Sequence, residues 1–333
     1  MRHFTSSILI ALLGLTAAFY WAGTNGLFMA SILGLMELSL SFDNAVVNAT
    51  VLKNMSTVWQ RRFLTWGMII AVFGVRFLLP VAIVSVVSGQ SLQAVALMAL
   101  QNPDEYASNV QSSHVQISAF GGMYLLLVFL SFFFEENKSL HWLVWLEHRL
   151  TQLGKLESIE VATSLGALLF AIQFLPTGQK LAAVISGIVG IILYVAVKSV
   201  AGLFQNSEQG LDSSHKAGLL SFIYLEVLDT SFSLDGVIGA FAITRDVVLI
   251  LLGLTIGAMF VRSLTVFLVR AKMLDEYLYL EHGAHYAIGA LAILMLTDMS
   301  QHVPEWITGL TGFLFIAFSL WSSVRANKRE LLL

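Results

Sequence analysis

The apolar positions of this chain fall into ten near-continuous runs. They lie at about 7–23, 27–51, 64–88, 117–134, 160–175, 181–203, 217–242, 247–269, 284–300 and 305–323. The runs do not alternate apolar with polar residues, which argues against a transmembrane barrel. Most approach the roughly 20 residues that a helix needs to cross the hydrocarbon of a bilayer. The pattern therefore predicts an all-α polytopic membrane protein with about ten transmembrane helices. Two other stretches read differently. Segment 91–100 is apolar but too short to span. Segment 139–156 mixes Trp142, Trp145 and leucines with Glu147, His148, Arg149 and Lys155, the pattern of an interfacial amphipathic helix. The first run follows Arg2 and His3 and ends in Phe19-Tyr20-Trp21 without a small-x-small cleavage site, so it is read as a retained helix.

Basic residues orient the runs. With ten spans and both termini on one side, thirteen Lys and Arg fall on that side and only Lys180 and Arg245 on the other. Arg76, Lys198 and Arg262 lie within spans. The positive-inside rule makes the basic side cytoplasmic, with both termini there; the expected location is a plasma (bacterial inner) membrane. Composition agrees with this. The chain is 57% hydrophobic and 12% charged, against about 25% charged in soluble domains. A net charge of −3 gives no basic footprint for nucleic acid. The absence of Cys excludes disulfides, thiolate metal sites and a Cys nucleophile.

The chain also resembles itself. Segment 36–47 (Met-Glu-Leu-Ser-Leu-Ser-Phe-Asp-Asn-Ala-Val-Val) and segment 228–239 (Leu-Asp-Thr-Ser-Phe-Ser-Leu-Asp-Gly-Val-Ile-Gly) both carry two acids six residues apart, with Ser at the same two interior positions. Gly67 to Arg76 matches Gly253 to Arg262, and His114 to Gly121 matches His282 to Gly289, in the same order. The matched helices are five spans apart, so each pair runs in opposite directions. That predicts two inverted-topology repeats, 1–176 (with the amphipathic segment near 139–156) and 177–333, an architecture recurrent in secondary transporters.

Five carboxylates lie inside spans: Glu37, Asp43, Glu226, Asp229 and Asp235. An Asp at a helix centre costs at least about 2.5–3.5 kcal/mol on insertion scales, so intramembrane acids are paired or functional. Arg76, Arg262 and Lys198 can neutralise at most three of them. The remaining negative charge suits a divalent cation. A six-residue spacing does not place two acids on one face of a straight helix. The neighbouring Ser and Thr residues and Gly236 therefore predict that both acidic helices unwind there, letting carboxylates and carbonyls converge on one ion. All candidate donors, including the Asn44 amide, are oxygens, which suit Mg²⁺, Ca²⁺ and Mn²⁺. The predicted metal ligands are Glu37, Asp43, Asn44, Glu226, Asp229 and Asp235.

Glu-Leu-Ser-Leu-Ser-Phe-Asp-Asn (37–44), Glu-Val-Leu-Asp-Thr-Ser-Phe-Ser-Leu-Asp-Gly (226–236) and Glu-His-Gly-Ala-His-Tyr-Ala-Ile-Gly-Ala-Leu-Ala (281–292) resemble the motifs of the TerC family. These are tellurite-resistance-type membrane proteins in the broad group of LysE-like exporters. The resemblance covers about 37–136 and 217–300. It implies Mn²⁺ export, with the metal as substrate and a role for the acids at the matching positions. The chain departs from that pattern in a longer region at 135–160 and in Gly236. The expected function is a divalent cation transporter, not an enzyme. It would work by alternating access around a midplane carboxylate site, with the bilayer, the metal ion and protons as its partners. Two alternatives compete: a cation-binding scaffold or sensor without transport, and an intramembrane aspartyl protease using Asp43 and Asp235. The protease lacks its Tyr-Asp and Gly-x-Gly-Asp signatures. Arg76, Arg262, His114, His282 and His285 are further polar groups at or near the spans, while Asp298, Glu135 and Glu136 are expected to be solvated.

Overall fold

A computed structural model describes residues 4–67, 69–135, 140–156, 158–205 and 211–330. Every regular element among them is helical. In chain order these are α1 (Thr5–Leu40), α2 (Phe42–Lys53), α3 (Thr57–Arg62), α4 (Leu79–Ser88), α5 (Leu92–Gln101), α6 (Pro103–Ser112), α7 (His114–Phe133), α8 (Val144–Gly154) and α9 (Ile159–Ala171). They are followed by α10 (Thr177–Gln205), α11 (Leu211–Ile243), α12 (Val247–Arg270), α13 (Met273–Glu276), α14 (Leu280–Asp298) and α15 (Glu305–Glu330). Five of these helices are long and apolar enough to cross a membrane, or up to seven if each of two bent pairs forms one span. The His-bearing α14 falls outside that count, which covers the described residues only and so does not take in the whole of α11.

The first two apolar runs are joined in α1, yet α1 is not straight. Its backbone leaves helical geometry at Ala22 (φ −137°) and Gly23 (φ +62°, ψ −148°). Only glycine adopts this last conformation without strain. Gly26 then lies against the Ala18 carbonyl: a methyl group added to Gly26 would sit 2.2 Å from that oxygen. In a straight helix those residues are about 12 Å apart along the axis. The two halves of α1 therefore fold back on each other as a hairpin, and both run beside α12. Ser7 in the first half bonds the Met259 carbonyl (2.6 Å) and meets Ser263 (2.5 Å). In the second half, Leu33 and Gly34 pack on Gly253, and Glu37 packs on Gly257. Small residues allow this close approach, as they do generally where helices associate in lipid.

Behind this layer, α7 packs against α10 and α14, and α14 against α15. Their apolar residues form one cluster that runs from Ala45 to Ile316 and is anchored by the fully buried Tyr124, Leu125 and Leu127. Both predicted halves thus share one core. The segment between α3 and α4 is unusual. Phe63–Gly67 and Ile70–Leu78 are π-helical. Such stretches are rare and cluster at functional sites. Within the segment 139–156, expected to be an interfacial amphipathic helix, α8 spans Val144–Gly154. Its Glu147 is fully buried and accepts hydrogen bonds from the Trp142 and Leu143 amides and from the Tyr286 hydroxyl of α14.

Candidate functional site

Glu37 closes the second half of α1. Ser41 interrupts the helix between Glu37 and Asp43 (φ −104°, ψ +17°), so the acids do straddle a break, as their spacing implied. Ser41 turns its hydroxyl back to Glu37 Oε1 at 3.1 Å. The same oxygen accepts from Arg76 Nη2, while Arg76 Nη1 donates to the Ala71 carbonyl at 2.7 Å. The π-helical backbone places Ala71 and Arg76 on one side of their helix. Both partners of this ion pair are buried. The other Glu37 oxygen faces Gly236 of α11, where a methyl group would approach it to 2.7 Å.

The matching break expected in α11 does not occur. That helix is continuous from Leu211 to Ile243. Thr230 and Ser231 bond the carbonyls of Glu226 (2.6 Å) and Val227 (3.0 Å), one turn earlier. Hydroxyls satisfied within the helix in this way do not open it. Glu226 and Asp229, three residues apart, therefore share a face. They border a small cavity of about 30 Å³ that Arg76, Arg262, Asn48 and Gly67 also line. Asn48 Nδ2 donates to Asp229 Oδ1 at 3.4 Å. Asp229 interacts electrostatically with both arginines, and Glu226 with Arg262. Arg262 rests its guanidinium over the Phe63 ring, 4.6 Å from its centre. Arg76 is neutralised by Glu37. Glu226 and Asp229 thus share one further cation, Arg262, which leaves one carboxylate in excess.

Asp43 and Asn44 lie elsewhere. Asp43 is in the first turn of α2, where an acid is favoured by the helix dipole, and it accepts from the Asn44 amide at 3.1 Å. Its carboxylate packs on Gly312 of α15, 3.3 Å from where a side chain would begin. Asn44 is buried near it, its Oδ1 without a partner among the described residues. Neither lines the cavity. The backbone of Asp235 is helical, but its side chain lies outside what is described. Among the described residues, no three His, Asp or Glu side chains form a metal-holding group. Lys198 pairs with Glu160 (3.0 Å) rather than with one of the five intramembrane acids. Asp298, expected to be solvated, is only 10% exposed. It contacts His114 and accepts from the Val303 amide at 2.6 Å. His282 contacts the Leu140 carbonyl at 2.9 Å, and His285 stacks on Phe132. Glu135 is exposed as expected, and Glu136 lies outside the described residues.

Sequence reasoning missed Asn48 and Gly67. Asn48 carried a signal: it stands one turn after Asn44, a second amide in an apolar helix. Gly67 carried none beyond its place in the repeat.

These features define a helical membrane protein with a buried carboxylate–guanidinium cluster around an ion-sized cavity. Residues 42–330 match the family described as Protein of unknown function (DUF475), and the chain belongs to that family. No curated protein and no solved structure matches it.

Proposed function

We propose that this protein is a divalent cation transporter with Mn²⁺ as the first candidate substrate. The observation that carries the reading is the cavity between Glu226, Asp229 and the two arginines. Its volume of about 30 Å³ is room for one or two waters, and it is a tenth of the roughly 300 Å³ at which pockets for small organic ligands begin. A monatomic ion fits, and an organic solute does not. The excess carboxylate gives the cavity the sign that attracts a cation. Mg²⁺ and Ca²⁺ are served by the same oxygen donors, and the resemblance to the TerC family ranks Mn²⁺ before them. Glu226 and Asp229 are the ligands that face the ion. Glu37 takes the place of Glu226 beside Asp229 when Arg76 releases it. Asp43, Asn44 and Asp235 enter by resemblance alone.

The architecture in this reading has ten spans in two inverted repeats, in a bacterial inner membrane, with both termini cytoplasmic. The hairpin in α1 supplies two spans. The helix containing α3 and α4 corresponds to α12, and α7 to α14. The ion moves by alternating access, with protons as the counter-ion.

The test is Mn²⁺ flux into proteoliposomes, with Mg²⁺ and Ca²⁺ as competitors. Wild type is expected to carry Mn²⁺, and Glu226→Gln and Asp229→Asn to lower the rate at least tenfold. Metal binding without flux in the wild type would instead make the protein a scaffold or sensor. Flux indifferent to both substitutions would remove the cavity from the path.

A further inference from the structure

The two arginines are not in equivalent states. Arg76 is closed on Glu37, which is also held by Ser41. In the second half, Arg262, the counterpart of Arg76, has Nε and Nη2 without a hydrogen-bond partner among the described residues, and so has Oε1 of Glu226, one turn before Asp229, the counterpart of Glu37. Yet the two groups are neighbours. Both border the point where a Gly67 side chain would begin, Glu226 Oε1 at 2.1 Å and Arg262 Nη2 at 3.1 Å. The absence of a side chain at Gly67 leaves the space in which they can meet. Buried charges left apart at so short a range are costly, so the open arrangement persists only because something else is gained by it.

From this asymmetry we infer that Arg76–Glu37 and Arg262–Glu226 are alternating locks: one is closed while the other is open, and exchange between them is the conformational step of transport. The inference rests on the proposed alternating-access reading and assigns Arg76 and Arg262 as positioning residues within it. Depth supports the assignment. Arg262 stands eight residues, about 12 Å, from Arg270 at the basic end of α12. The cavity reaches toward that end through Phe63 and Thr265. At the opposite end, beyond Glu37 and Arg76, Leu33, Val81, Val84, Val237 and Phe241 form a dry apolar cluster. The closed lock thus lies beside the sealed end, and the open lock beside the end the cavity approaches. Asp229, which interacts with both arginines, stands between the locks. A cation arriving at Glu226 and Asp229 takes the place that Arg262 would fill in the other state. The substrate and the tethered guanidinium then compete for the same carboxylates.

The chain contains no Cys, so single reporters can be introduced without background. Thr265→Cys reports the basic end and Val237→Cys the sealed end. Maleimide labelling is measured in membranes without added metal, so the readout does not depend on transport. Glu37→Gln and Arg76→Gln weaken the closed lock. They are expected to raise Val237→Cys labelling at least threefold and to lower Thr265→Cys labelling. Glu226→Gln and Arg262→Gln weaken the open lock and are expected to shift both labels the opposite way. Because either partner of a lock can be changed, a variant that fails to fold leaves its partner to make the test. Labels that move in the same direction for both locks, or that do not move, overturn the inference. Opposite shifts in a protein that carries no ion would uphold the locks while removing the transporter reading.

Discussion

Glu37 and Arg76 hold each other's charges while almost wholly buried. Removing one partner of such a pair leaves the other buried and uncompensated, at a cost of about 3–5 kcal/mol. Glu37→Leu is therefore expected to destabilise the protein by about that much, and the double variant Glu37→Leu/Arg76→Met by less than the single. Denaturant unfolding in detergent micelles measures both. Losses that simply add would show that the two side chains do not depend on each other. At this scale the sequence was informative about which residues matter and uninformative about whom they touch. A charge within an apolar run stands out by its cost, so the acids and arginines were legible. The partner of each was not, because it depends on a π-helical register that no local pattern encodes. Asp43 illustrates the limit. Its motif position promised the site, but the break at Ser41 turns it toward Gly312 instead.

At the scale of elements, helix approach is set by small residues and polar straps. Gly257 lies so close to α1 that a methyl group there would stand 2.5 Å from Glu37 Cβ, inside any real contact. Gly257→Val is expected to push α12 from α1 and lower the melting temperature by several degrees, by overpacking that costs about 1–3 kcal/mol. An unchanged melt by intrinsic fluorescence would mean that the helices separate freely. The α8 strap depends on Glu147, whose carboxylate serves two amides and the Tyr286 hydroxyl. Glu147→Ala strands those donors, so local opening of 144–154 should become easier by about 2–4 kcal/mol. Hydrogen exchange confined to that segment is the measurement, and protection equal to wild type would show that α8 is held by its apolar face alone. Amphipathic spacing made α8 legible as a helix. Its attachment was not legible, because α14 lies more than a hundred residues away.

For the whole molecule, the question is parity. At 36 residues α1 would measure about 54 Å if straight, nearly twice the roughly 30 Å of hydrocarbon, and in the proposed topology its fold at Ala22–Gly23 resolves that excess as two passes. The long α11, which carries Glu226, Asp229 and Asp235, is described only in part, and its 33 residues are enough for one pass. Counting the α1 hairpin as two passes, and α11 and α14 as one each, returns the even number that the apolar runs and the basic residues both imply. An even number puts both termini on one face. Single cysteines at Thr5 and Asn327 should then be labelled from the same side of oriented vesicles as one at Arg61, and from the opposite side to one at Asn102. Labelling of Thr5 and Asn327 from opposite sides would make the number of passes odd. The inverted relation between the halves would fall only if the missing or extra pass lay between matched helices, since two segments run in opposite directions when their places in the order of passes differ by an odd number.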